Sequence, residues 1–199
     1  NLRKNYFSNP EKWQDRNPSS GFEDLFSIDR GELNKIVSWI LEKGNFQVAP
    51  IYIPEVLSMF DGIKIIHDHS LISDYVIEKY DDGSQFCLNI KYRTSEIRPH
   101  IRFLSMKYLF LFMCARNHEK CSSFSKNTAD VNEIASNLFA GLVLMPQKIL
   151  AQEIAAADPS IDMVSQLAKT FWVSKSLMNI RLADYTGSLL TSSDSDSTE

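Results

Sequence analysis

The sequence lacks the features of secreted, membrane-spanning and generic nucleic-acid-binding proteins. Its cysteines are few and have no framework spacing, which is typical of a reducing cytoplasm: Cys87, Cys114 and Cys121. The longest apolar run, Tyr108–Ala115, is far shorter than the roughly 20 residues that a spanning helix needs. No signal peptide is visible, and a net charge of −4 disfavours phosphate binding through a generally basic surface. We therefore expect a cytoplasmic protein without membrane contact.

The 199 residues are enough for one domain with a buried core. Composition divides the chain into an irregular N-terminal arm (1–27), a main domain (28–146), a C-terminal helical subdomain (147–187) and a disordered Ser- and Asp-rich tail (188–199). The chain begins at Asn1 rather than at a methionine, so we expect that upstream residues have been removed.

Local patterns predict a mixed α+β fold. Asp29 can cap a first helix and Pro54 can open a short second one. A long helix over Pro99–Ala115 is apolar nearly all round, which predicts that it lies at the centre of the fold. A small sheet is expected from three strand-like runs, the last two joined by a hairpin signal at Asp82-Gly83: Ile63–Ile66, Tyr75–Lys79 and Phe86–Tyr92.

The stretch Val131–Pro146, VNEIASNLFAGLVLMP, is the most informative one. Asp130 can cap a helix there, and the spacing of Ile134, Leu138 and Leu142 predicts an apolar stripe that faces a core. Glu133 and Asn137 lie one turn apart on a neighbouring face, so both can point to the same place. By spacing alone, Glu133 is the partner of Asp130 in a capping box.

The run Glu133–Ala140 followed by Leu144-Met145-Pro146 resembles the glutamate helix of the ImmA/IrrE family of zinc metallopeptidases. The family's C-terminal signature is similar to Leu167-Ala168, Phe171, Val173-Ser174 and Arg181-Leu182. The resemblance extends loosely from Ile53 to Gly187. It implies a zincin-like metallopeptidase fold with a small sheet, a central apolar helix, the glutamate helix and helix-turn-helix-like C-terminal helices. It also implies that Glu133 occupies the place of the third zinc ligand.

The family's zinc motif, His-Glu-x-x-His, is absent from this chain. In register after Arg102-Phe103, the first histidine is Lys107, the catalytic glutamate is Tyr108 and the second histidine is Leu111. An ammonium repels zinc, leucine has no donor atom, and a phenol with a pKa of about 10 is a poor base near neutral pH. We interpret the chain as a pseudo-metallopeptidase with no catalytic residue, metal or cofactor. Lys107, Tyr108, Leu111, Glu133 and Asn137 are then vestigial active-site positions.

Two alternatives remain open for Lys107. Its ammonium can pair with Glu133 in place of the metal, or it can extend to the surface while Glu133 caps its helix. A relocated metal site is a further alternative; its ligands would come from His67, His69, His118 and Cys121.

The C-terminal helices, Met163–Phe171 and Lys175–Tyr185, have the spacing of a helix-turn-helix, with Ser174 able to cap the second helix. Trp172 stands at the turn position that often holds glycine. Lys169, Lys175 and Arg181 are the candidate contacts to DNA or to a partner. A structural role is favoured for the pair, and for Arg181 as an anchor at the edge of the core, because acidic residues balance the basic ones over 146–187.

Three functions follow. Active relatives cleave helix-turn-helix repressors, so a copy without zinc is expected to bind such a repressor without cutting it, as an antirepressor in a mobile element or a stress response. The alternatives are a DNA-binding regulator that uses residues 163–185, and a zinc peptidase with a rebuilt site.

Overall fold

The computed structural model describes residues 28–81, 85–124 and 128–193, and side chains as far as residue 187. The predicted N-terminal arm, residues 1–27, lies outside the described residues. In chain order the elements are α1 (Arg30–Lys43), α2 (Ile53–Ser58), β1 (Ile63–His67), β2 (Tyr75–Asp81), β3 (Phe86–Tyr92), α3 (Pro99–Ala115), a 3-10 helix (Glu119–Phe124), α4 (Ala129–Leu144), α5 (Gln147–Ala156), α6 (Met163–Thr170) and α7 (Lys175–Ser193). This arrangement confirms the α+β prediction.

The sheet has three strands in the order β1-β3-β2. β2 and β3 pair antiparallel from Tyr75 opposite Tyr92 to Asp81 opposite Phe86, as the hairpin signal predicts; the turn residues 82–84 lie outside the described part. β1 pairs parallel to β3. Ile63, Leu88 and Ile90 are buried on the face that joins the core.

Helix α3 is the centre of the core, and its observed bounds agree with the predicted ones. Pro99 lies in its first turn, where a missing N–H costs no intrahelical hydrogen bond. Phe110 lies 5.2 Å from both Phe124 and Phe139, measured between ring centroids. These contacts join α3 to the 3-10 helix and to α4, so the glutamate helix packs directly beside the central one.

The prediction for the buried face of α4 is wrong in detail. Ile134, Leu138 and Leu142 are only half-buried at the edge of the core, whereas Phe139 and Val143 are fully buried. The helix is apolar on more than one face, so the spacing of its largest side chains does not decide which face packs inward. Small buried residues on the inward face, including Ala135 and Ala140, allow α3 to approach closely.

Helix α7 continues to Ser193, beyond the predicted end at Tyr185. The expectation of disorder from residue 188 onward is therefore wrong for 188–193, and residues 194–199 lie outside the described part. No proline interrupts this stretch, and one glycine, Gly187, weakens a helix without ending it.

The C-terminal helices share the hydrophobic core of the main domain. Leu167, Phe171 and Met178 are buried in the same cluster as α3 and α4. Over the residues that the structure describes, no single helix has the length and apolar character to cross a membrane, although α4 and α5, bent by 49°, satisfy both criteria as a pair.

Candidate functional site

The positions that the family resemblance assigns to an active site hold an ion pair between the two central helices. The Lys107 ammonium on α3 donates a hydrogen bond to the Glu133 carboxylate on α4. Their side chains are 17% and 16% exposed, so the pair is largely removed from solvent. Of the two alternatives left open by the sequence, the structure therefore forms the ion pair, and Lys107 does not extend freely to the surface.

The capping-box prediction for α4 is wrong. Helix α4 begins one residue before Asp130, and its cap is Thr128, whose hydroxyl accepts a hydrogen bond from the Val131 N–H at 3.3 Å. Threonine is a good cap because its oxygen accepts from a first-turn N–H. The Glu133 carboxylate reaches α3 instead, while Asn137, one turn further along, is exposed.

Tyr108 and Leu111 take part in this region in different ways. Tyr108 is half-buried, and burial raises the pKa of its phenol, with smaller contributions from the neighbouring Tyr75 and Glu133. A phenol with a raised pKa stays protonated near neutral pH and cannot act as a general base. Leu111 is 3% exposed and packs into the core.

An exposed aromatic surface adjoins the ion pair. Tyr75, the first residue of β2, is 38% exposed, and its ring centroid lies 6.1 Å from that of His100 at the start of α3. Tyr75 and Glu133 also contribute to the raised pKa of Tyr108, the residue that follows Lys107 in the chain. We call Tyr75, His100 and Tyr108 the aromatic surface.

The sequence model of one protein family, described as the IrrE N-terminal-like domain, matches residues 79–183. This match covers more than half of the chain. The chain belongs to this IrrE-like family. The matched region contains α3 and α4 and therefore includes Lys107 and Glu133. The family resemblance of the sequence is thereby confirmed.

A transcriptional regulator from Mycobacterium tuberculosis has a similar fold, with a TM-score of 0.56 and 16% sequence identity. The similarity covers 82% of the IrrE-like chain and 50% of the regulator, so the chain spans about half the length of that protein. Among curated proteins, no sequence matches.

The residues of this IrrE-like chain do not fit the zinc ion that the family's peptidases use. Two neutral imidazoles one turn apart would be required on α3, but the positions hold an ammonium and an aliphatic side chain. The Lys107 ammonium already makes a hydrogen bond to the carboxylate that would be the third ligand. A divalent cation at the same place would meet like charge.

The histidines do not assemble a substitute site. Across residues 28–81, 85–124 and 128–193, no group of three or more His, Cys, Asp or Glu side chains could hold a metal ion. His67 lies 4.0 Å from His69 between ring centroids, but its Nε2 is 3.1 Å from the Arg93 carbonyl oxygen and its ring stacks on Tyr92.

The other candidate metal ligands and nucleophiles, His118, Cys114 and Cys121, pack against neighbouring side chains instead. His118 lies against Trp39 and Phe60, and its pKa is lowered chiefly by burial. Cys114 and Cys121 are buried, and a hydrogen bond between them, together with burial, raises the pKa of the Cys114 thiol. A thiol with a raised pKa is a poor nucleophile and a poor metal ligand. Cys114 and Cys121 are therefore small residues of the core.

Backbone hydrogen bonds define the turn between the two helix-turn-helix-like helices, α6 and α7. Trp172 has a φ of +53°, the left-handed conformation that usually favours glycine. The N–H groups of Trp172 and Val173 donate to the carbonyls of Lys169 and Ala168 at 3.1 and 2.9 Å, which is the hydrogen-bond pattern of a Schellman motif. Ser174 then caps α7 by accepting from the Leu177 N–H at 3.2 Å, as predicted.

The three candidate contacts on this pair differ in accessibility. Lys169 and Lys175 are exposed, and the Lys175 ammonium lies 4.0 Å from the Asp162 carboxylate. Arg181, however, is only 5% exposed and donates to the Met145 carbonyl at 3.2 Å. This burial argues against Arg181 as a contact residue for DNA or a partner protein. Its interpretation as an anchor at the core edge is confirmed.

Arg102 is the important residue whose role sequence reasoning missed. It is 1% exposed, and burial lowers its pKa to about 10. Its Nη2 donates to the Ile51 carbonyl at 2.9 Å, and its guanidinium lies 5.3 Å from the ring centroid of Trp172. The sequence shows only an arginine before the central helix's apolar run. No local pattern indicates that it joins that helix to a turn seventy residues later.

Proposed function

We propose that this IrrE-like chain is a non-catalytic regulatory protein that binds a transcriptional repressor without cleaving it. The single observation that supports the proposal best is the Lys107–Glu133 ion pair. A cation supplied by the chain itself stands where active relatives use a metal, so the interface between α3 and α4 is retained while the hydrolytic chemistry is lost. Such a protein would act by sequestering its partner, as an antirepressor does.

The other vestigial positions also argue against hydrolysis. A peptidase of this type needs a metal-bound water and a base that removes its proton. Leu111 has no donor atom, and Tyr108 has a pKa raised by burial. With neither imidazole present, no described residue of this site replaces the missing metal–water pair.

The aromatic surface is the proposed contact for the partner. Tyrosine is enriched at protein interfaces because it combines a large contact area with a hydrogen-bonding hydroxyl. Tyr75 and His100 are exposed. If the chain has kept the binding of a protein substrate and lost only its cleavage, we expect the partner to contact these side chains. The fold neighbour is itself a transcriptional regulator, which agrees with a role in regulation.

A capture experiment from the native cell tests this proposal. The wild-type protein should retain a helix-turn-helix regulator whose intact mass is unchanged, as measured by mass spectrometry. Tyr75→Ala should reduce the recovery, whereas Tyr80→Ala should not. Tyr80 is a matched control because it lies on the same strand, on the opposite face, with a similar exposed fraction of 41% against 38%. Recovery of cleaved regulator, or of no regulator at all, would contradict the proposal.

A DNA-binding role for residues 163–185 is the second candidate, because a short hydrogen-bonded turn joins α6 to α7, as the helix-turn-helix spacing predicts. Lys169 and Lys175 could contact phosphates, although Asp162 lies beside Lys175. Binding to promoter DNA should then weaken with salt and should be lost in Lys175→Glu. If Lys175→Glu binds promoter DNA with the wild-type affinity, residues 163–185 do not contact the DNA.

A peptidase with a rebuilt metal site is the third candidate, and elemental analysis of the native protein separates it from the first. Purification without chelator should yield protein without stoichiometric zinc if the site is vestigial. About one zinc per chain would instead favour a rebuilt site, to be sought among Glu133, the histidines and Cys121.

A further inference from the structure

A small cavity lies at the junction of α1, α4, α5 and α7, and it uses residues other than the vestigial ones. Its volume is about 100 Å³, comparable to roughly three water molecules at ~30 Å³ each. Apolar side chains form part of its wall: Leu33, Leu138 and Leu142. The rest of the wall is polar: Arg30, Asn34, Gln147, Arg181 and Asp184.

Arg181 is the most unusual part of this wall. It is 5% exposed, and its Nε and Nη1 donate to the Met145 carbonyl at 3.2 Å and to the Asp184 carboxylate at 2.8 Å. Its Nη2 is buried and has no hydrogen-bond partner. A buried donor on a charged group is costly to leave unsatisfied, so such atoms usually have an acceptor in the functional state.

The charges around the cavity are not balanced. Arg30 also forms an ion pair with Asp184, so two guanidinium groups share one carboxylate. Arg30 bonds to Oδ1 and Arg181 to Oδ2 of this carboxylate, so the two cations lie close together. Burial and the nearby Arg30 lower the pKa of Arg181, while Asp184 opposes the shift. One additional negative charge would neutralise this group of three residues.

The start of helix α5 adds hydrogen-bond donors at the same place. Gln147 is the first residue of this ten-residue helix, and the preceding Pro146 provides no side-chain cap. The first N–H groups of a helix have no intrahelical acceptor, and together with the helix dipole they favour an anion. A wider groove of about 470 Å³ opens beside the cavity, shares Asn34, Leu142 and Gln147 with it, and adds Lys148.

We propose that this cavity binds a small oxyanion, a carboxylate or a phosphate group, between Arg30, Arg181 and the start of α5. The bound oxygens would accept from guanidinium and backbone N–H donors and would restore charge balance beside Asp184. The adjoining groove leaves room for the rest of a larger molecule that carries the anionic group. The proposal does not depend on the function proposed for Lys107 and Glu133.

Titration of the full chain with inorganic phosphate and, separately, with acetate and succinate tests the proposal. Ionic strength is held constant with chloride, and binding is followed by calorimetry and by NMR shifts of backbone amides. At least one anion should bind saturably and shift the amides of residues 147–149. A preference for phosphate or for the carboxylates then identifies the source of the oxyanion.

Three substitutions test whether the anion binds in this cavity, and each is chosen so that the protein still folds. Arg30→Gln should weaken binding by about tenfold, the loss of one charge-assisted hydrogen bond, and should leave the fold intact because the Arg30 side chain is 54% exposed. Asp184→Asn should strengthen binding by removing the competing carboxylate. Lys35→Gln, on the same helix and away from the cavity wall, should leave the affinity unchanged. Absence of saturable binding by all three anions, or equal affinity in wild type and Arg30→Gln, would overturn the proposal.

Discussion

At the scale of single residues, the Lys107–Glu133 pair joins the two central helices, α3 and α4. A half-buried ammonium and a carboxylate stabilise each other, and each would be costly alone because solvent reaches neither fully. Under the proposed function, this pair takes the place of the metal that active relatives hold.

Lys107→Ala should lower the free energy of unfolding by roughly 2 kcal/mol, because Glu133 would keep its burial and lose its hydrogen-bond donor. Chemical denaturation measures this change. Lys35→Ala is the matched control: Lys35 also pairs with a glutamate, Glu32, but its side chain is 75% exposed, so a much smaller change is expected. Equal effects of the two substitutions would mean that the Lys107–Glu133 pair contributes no more than a surface pair does.

His118 should make stability depend on pH. Its pKa in the folded protein is lowered, chiefly by burial, so the unfolded chain binds a proton more readily than the folded one. The stabilising contribution is present above the ordinary histidine pKa of about 6.5 and is lost as the pH falls through the lowered folded value. His118→Gln should reduce the decline in melting temperature between about pH 7 and pH 5. His69→Gln, at an exposed position, should retain the wild-type decline; an unchanged profile in His118→Gln would exclude this explanation.

At the scale of elements, the turn between α6 and α7 shows how one residue can be held in an unusual backbone conformation. Trp172 lies at the glycine position of a Schellman motif, and its ring lies over the buried Arg102 guanidinium. The cation–π contact and the turn hydrogen bonds offset the strain of the left-handed backbone. Arg102 thereby joins α3 to the C-terminal helices.

Trp172→Gly should destabilise the protein less than Trp172→Ala does, by about 1 kcal/mol. Both substitutions remove the ring from Arg102, but only glycine adopts a φ of +53° without steric cost. Melting temperatures and denaturant midpoints of the two variants provide the comparison. If the alanine variant is as stable as the glycine variant, the backbone at residue 172 is not strained in the wild type.

At the scale of the whole molecule, the proposed loss of the zinc centre concerns side chains on α3 and α4, two helices that pack directly against each other. If only the side chains have been lost, the triple variant Lys107→His/Tyr108→Glu/Leu111→His should bind zinc at about one ion per chain. Elemental analysis after dialysis measures the content. Adding Glu133→Ala should abolish this binding without unfolding the protein, as circular dichroism would show. A folded triple variant without zinc would mean that the helices no longer hold the required geometry.

Much of the fold is predictable from local patterns. The bounds of α3 and of β3, the β2–β3 hairpin and the caps at Asp29 and Ser174 all agree with expectation. These features depend on residues that are close in sequence: capping oxygens, prolines in first turns, alternating strands and continuous apolar helices. Family membership is likewise carried by short motifs on α4 and on the C-terminal helices.

Other features depend on contacts between distant parts of the chain, and these were missed or left open. The cap of α4 and its buried face differ from expectation because packing against α3 selects among several locally acceptable choices. The parallel pairing of β1 with β3 has no local signal at all.

The amino-acid sequence by itself determined that the zinc motif is absent and that the central helices are apolar, since both are properties of residue identity. Only the tertiary structure decided that Lys107 meets Glu133, that Arg102 meets Trp172, and that Arg30 and Arg181 share Asp184. Except for Arg181 and Asp184, which lie one turn apart on α7, these contacts join side chains far apart in the sequence. Their formation depends on how helices and turns pack once most of the apolar surface is buried.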